Sequence, residues 1–152
     1  MTVDYLVASL PTLVFGTAPA ISQARFDELT GGVTPPPAWQ DLETQLRNAL
    51  AEARGGGERS RRPARGCSLY WRKRVLDAFA EKDVARRDEL LDRVWWEAAG
   101  ELADPSDPLG RGALAAYAVR LKIALRRARI SPDAGSAAFD RLTAETKWSP
   151  GG

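Results

Sequence analysis

The residue types that carry most enzyme chemistry are scarce in this chain. Histidine is absent and Cys67 is the only cysteine, which removes Ser-His-Asp and Cys-His catalysis, the usual zinc ligand sets and any intrachain disulfide. Cys67 itself reads as a small buried hydrophobe rather than a nucleophile. Asp88, Glu89 and Asp92 place carboxylates one helical turn apart, as metal and acid-base sites sometimes do. Arg86, Arg87 and Arg93 lie among them, and this mixture favours ion pairing at a wet surface. The run Gly55-Gly56-Gly57 has neither the preceding buried strand nor the Gly-Lys-Ser/Thr ending of a phosphate loop, so a plain linker is expected there. No catalytic, cofactor-binding or metal-ligating residue emerges.

Binding chemistry is better represented. Arg59, Arg61, Arg62, Arg65, Arg72, Lys73 and Arg74 surround Tyr70 and Trp71. Cations that release counterions and rings that stack on bases suit single-stranded nucleic acid, while a solvated linker running into a charged helix face explains the same residues. Arg120, Lys122, Arg126, Arg127 and Arg129 crowd a second segment, where cations complement the negative end of a helix and can also meet an acidic partner or lipid head groups. Trp95-Trp96 is either core or an anchor for a partner's pocket. The candidate interaction surface is therefore Trp71, Arg72, Lys73, Trp96, Arg120, Lys122, Arg126 and Arg127.

The elements that must position these groups are helical. With 152 residues, 44% hydrophobic and 28% charged, the chain can build one core, and a net charge of +2 demands no polyanionic partner. Tyr5 to Phe15 is apolar but lacks a basic lead and is interrupted by Ser9 and Pro11, so it is expected to be part of the fold rather than an export signal or a membrane span. Its first part, Tyr5 to Leu10, reads as a short extended segment because Tyr5 and Val7 favour strand. Ser22 caps a first helix with Ile21 clasping Phe26, and Gly31-Gly32 ends it. Trp39, Leu42, Leu46, Ala49, Leu50 and Ala53 mark one face of a second helix. A third, from Ser68 to Ala80, is expected to use Leu69, Val75, Leu76 and Phe79. Asp83 opens a fourth reaching about Leu102, striped by Val84, Leu91, Val94, Trp95, Ala98 and Leu102. Leu114, Tyr117, Ala118, Leu121, Ala124, Leu125 and Ala128 give a fifth, and Ser131-Pro132-Asp133 starts a sixth with Ala138, Phe139 and Leu142. The expectation is an all-α, irregular bundle of about six helices with a short extended N-terminal segment. It forms a single helical domain over residues 1–146, with a flexible Gly/Arg linker at 55–66 and a disordered tail at 147–152.

Three segments together resemble a little-characterised bacterial family related to the C-type subunit of V/A-type rotary ATPases, the counterpart of the eukaryotic d-type subunit. DYLVASLPTLVFG followed by ISQARFDEL is similar to that family's opening. AFAEKDVARRDELLDRVWWEAAGEL resembles its central helix, and AYAVRLKIALRRARISPDAGSAAFDRL its closing helical pair. These stretches occur in the family's order and span about half of the chain, whereas family members are longer and residues 31–66 here look abbreviated. The resemblance implies a noncatalytic part, without cofactor, that couples the central stalk to the membrane rotor ring. Its partners would be the other components of the V/A-type ATPase, and it would sit in the cytoplasm, peripheral at the cytoplasmic face of the inner membrane. A small basic helical protein that binds nucleic acid is the competing reading of the residues themselves.

Overall fold

A computed structural model of the chain describes residues 2–57 and 68–130. Among them are six α-helices and no strand: α1 (Val3–Ser9), α2 (Gln23–Thr30), α3 (Pro37–Ala53), α4 (Leu69–Phe79), α5 (Val84–Ala99) and α6 (Arg111–Ile130), with a single 3-10 turn at Gly100–Leu102. The all-α expectation holds. The helix expected to begin at Ser131-Pro132-Asp133, the tail, Cys67, and Arg59 to Arg65 of the basic linker lie outside the described residues.

Most helix ends follow from local chemistry. The Ser22 hydroxyl accepts from the Arg25 amide at 3.1 Å, and Ser68 and Asp83 cap α4 and α5 in the same way through Trp71 and Ala85. Pro37 opens α3 at the position where a missing N–H costs nothing. Gly31 ends α2 in the left-handed conformation at φ 77°, with its amide bonded to the Asp27 carbonyl. Gly55 and Gly56 turn back on the Glu52 and Ala51 carbonyls to end α3.

The opening segment differs from expectation, because Tyr5 to Ser9 is helical. Thr2 caps α1 by accepting from the Tyr5 amide, and Asp4 lies in the first turn, where negative charge is favoured. Leu6 and Leu10, four residues apart, are buried, while Tyr5 is exposed. A helical face therefore overrode the strand propensity of Tyr5 and Val7. Extended backbone begins only at Leu10 (ψ 143°), as the following proline requires.

Consecutive helices α3, α4, α5 and α6 pack on one another around a core that includes Trp39, Leu46, Trp71, Val75, Val94, Trp96 and Ile123. A second cluster joins Leu10, Ile21 and Phe26 to Ala118 and Leu121 of α6. Helix α6 is thus covered from two sides, and Leu13 touches both clusters. The α6 backbone comes close to the preceding turn, since a Cβ on Gly112 would overlap the Leu102 carbonyl.

The apolar stripe of α4 is shifted from the one expected, whereas that of α5 largely holds, with Val94 and Ala98 buried and Leu91, Trp95 and Leu102 packed against the same core. In α4 the buried residues are Trp71, Val75 and Ala78, and Leu69 is 76% exposed. In α5 they are Asp92, Val94, Trp96, Ala98 and Ala99, and Val84 is 68% exposed. Each exposed residue is the first of its helix.

Candidate functional site

The described basic residues of the cluster near α4, Arg72, Lys73 and Arg74, are engaged by carboxylates. Arg72 forms a two-pronged pair with Glu52 of α3, its Nε lying 2.9 Å from Oε2 and its Nη2 bonding Oε1. Arg74 reaches Glu97 of α5 at 2.6 Å and lies over the rings of Tyr70 and Trp71. Lys73 pairs with Asp77 at 3.2 Å on the exposed side. Trp71 is buried, and its indole N–H donates to Glu101 Oε1 at 2.6 Å. That bond satisfies the one polar group on a large apolar ring, so Trp71 is core rather than a stacking platform. Tyr70 alone of the pair remains exposed.

The second basic segment is also drawn inward. Asp92, only 8% exposed, accepts from Arg127 Nη1 at 2.9 Å through Oδ2 and from Arg126 Nη2 through Oδ1. Arg127 also reaches Asp88 at 3.2 Å. These bonds tie α5 to α6, correcting the wet same-helix pairing expected for the acidic trio. Glu89 alone keeps that arrangement, 3.0 Å from Arg86. Burial pushes the Asp92 carboxyl above its ordinary value; the Asp88 charge adds to this, and the two arginines bring it only part of the way back. Arg126 and Arg127 are therefore not simply cations at a helix end.

Phe15 sits beside this network. Its ring meets Trp96 edge-on at 5.5 Å, and the guanidinium groups of Arg93 and Arg127 lie 4.5 and 5.8 Å from its centroid. Trp96 is buried, with Arg120 over its face at 5.5 Å. Arg120 donates from Nε to the Trp96 carbonyl at 2.9 Å, and its half-buried position lowers its pKa against the pull of Glu97. Trp96 is thus excluded from an exposed docking patch, and Trp95 is the partly exposed member of the pair.

Of the eight sequence candidates, Lys122 alone is exposed and has no hydrogen-bonding or ionic partner among the described residues. It lines a cavity of about 340 Å³ with Trp39 and Trp95. A second cavity, of about 410 Å³, lies between α3 and the Gly100–Leu102 turn. Its polar groups are bonded to the protein: Gln45 joins Asp41 and the Ser68 amide, and Glu101 holds Trp71. No group of three or more potential metal ligands occurs among the described residues, and no helix there is long and apolar enough to cross a membrane. No family model, curated protein or solved structure matches the chain.

Proposed function

We propose that the chain is a noncatalytic coupling component of a V/A-type rotary ATPase, acting by contact between the central stalk and the membrane rotor ring. One observation supports this reading beyond the resemblance: the three segments that bear it interlock. The Tyr117 hydroxyl of the closing segment donates to the Pro11 carbonyl of the opening one at 2.6 Å. Phe15 of the opening segment packs on Trp96 of the central one, and Asp92 of the central segment binds Arg126 and Arg127 of the closing one. A part that transmits force needs such cross-links, because torque passes only through contacts that do not yield.

Placement at the cytoplasmic face of the inner membrane belongs to the same proposal, with attachment through the other ATPase components. Nucleic acid binding draws less support from the described residues, among which Arg72 and Arg74 meet carboxylates and Trp71 is buried. The test is affinity purification of the tagged chain from membranes solubilised in mild detergent, followed by mass spectrometry. Co-recovery of rotary ATPase stalk and rotor proteins is the expected result. An intact ATPase recovered consistently without this chain would overturn the proposal.

A further inference from the structure

The cavity beside Lys122 has the features of a small-molecule site, independent of any coupling role. Its apolar wall comes from three helices: Trp39 of α3, Trp95 of α5, and Val119 and Ile123 of α6. At about 340 Å³ it falls at the small end of the ~300–1,000 Å³ range usual for ligand cavities.

Trp39 supplies the directional clue. It is 3% exposed, yet its indole N–H has no acceptor among the described residues. No fully buried side-chain nitrogen or oxygen there lacks a partner, so this nitrogen is among the few atoms through which Trp39 meets solvent, and the cavity is the space that Trp39 lines. A donor that meets solvent at the cavity is open to a bound acceptor in place of water.

The charges indicate which acceptor. Glu43 and Arg47, both on the lining, pair with each other at 3.3 Å. Lys122 has no such partner among the described residues, which leaves the rim with one uncompensated positive charge. We propose that this cavity binds a small apolar monocarboxylate, its hydrocarbon body against Trp39, Trp95 and Val119 and its carboxylate shared between Lys122 and the Trp39 indole N–H. Hydrogen bonds to an ionised acceptor are the stronger kind, so the charged head sets the affinity and the apolar wall sets the shape.

The test uses 4-phenylbutyrate and its neutral counterpart 4-phenylbutan-1-ol, followed in 1H–15N spectra of the full chain. Tryptophan side-chain signals are assigned by single Trp→Phe variants. With the carboxylate, the Trp39 and Trp95 indole signals are expected to move, while Trp71, held by Glu101, stays in place. Lys122→Gln, at an exposed position, is expected to weaken carboxylate binding about tenfold and leave the alcohol's affinity unchanged. Equal affinity for acid and alcohol, an unaffected Lys122→Gln variant, or indole shifts that exclude Trp39 would each overturn the proposal. So would Trp39 shifts that depend on protein concentration alone, which would mean that a second copy of the chain fills the space.

Discussion

Asp92 is where electrostatics and burial compete most directly. Taking a carboxylate out of water costs about as much as a good ion pair returns, and breaking such a pair usually hurts because it strands the partner. Here Arg127 retains Asp88 and the Arg126 side chain is half exposed, so neither is stranded when Asp92 loses its charge. Asp92→Asn, which keeps an acceptor for the arginines, is therefore expected to cost under about 1 kcal/mol at neutral pH. Asp92→Ala, which removes the acceptor and leaves a gap, should cost about 2 kcal/mol. Urea unfolding of both variants checks this, and a loss of several kcal/mol in the asparagine variant would show that Coulomb attraction dominates instead. The pH dependence has a definite sign. Asp92 titrates above its ordinary value, so the folded state holds its proton more tightly. Its contribution to stability is full below the ordinary carboxylate range and declines as pH rises through the folded pKa. Asp104 behaves oppositely. The Ser106 hydroxyl and amide stabilise its charged form and hold its pKa down, so its contribution is present above the ordinary range and is lost as pH falls through the depressed value. Carboxyl carbon shifts followed by NMR during acidification should show Asp104 protonating at lower pH than Asp92.

At the scale of elements, the junction between the Gly100–Leu102 turn and α6 leaves no room for a side chain at residue 112. A methyl group at residue 112 would run into the Leu102 carbonyl and crowd the Ala103 backbone, neither of which is the free end of a flexible side chain. Gly112→Ala is expected to cost about 1–3 kcal/mol despite alanine's better helix propensity, because the overlap outweighs the propensity gain. Thermal unfolding measures it, and a stabilised variant would mean that α6 slides away freely. The helices themselves are legible in the sequence where capping residues and periodicity agree, as at Ser22, Ser68, Asp83 and the glycines after α2 and α3. Helix α1 is not, because Thr2 and Asp4 are quiet helix signals and Tyr5 and Val7 are loud strand signals. Stripe phase in α4 is hidden for another reason: Trp71 stands among arginines, and its neighbours suggest a wet surface. Its place in the core depends on Glu101, thirty residues away, which no local pattern reveals. The Asp92 partners, 34 and 35 residues distant, are concealed in the same way, as is the cavity, whose walls come from three helices.

For the molecule as a whole, the opening segment determines whether α6 is a buried centre or an exposed flank. Residues 10–26 cover part of α6 apart from its contact with α5, with Leu10, Ile21 and Phe26 on Ala118 and Leu121. The Tyr117 ring stacks on Phe26 at 5.5 Å while its hydroxyl holds the Pro11 carbonyl at 2.6 Å, and the ring's burial raises the hydroxyl's pKa. A single side chain thus grips the segment near both of its ends. Tyr117→Phe keeps the ring and removes the hydrogen bond, which predicts a loss of about 1 kcal/mol. That loss should be local. The apolar grip on Phe26 survives, so amide exchange is expected to quicken at residues 10–17 and remain unchanged in α3, α4 and α5. Phe26→Ala removes a fully buried ring and should cost about 3–5 kcal/mol, releasing the whole cover from α6. If the opening segment locks the body for force transmission, Tyr117→Phe weakens retention on the ATPase without unfolding the chain. Uniformly faster exchange across all helices in that variant would show that the segment is part of one cooperative core, with no separate latch.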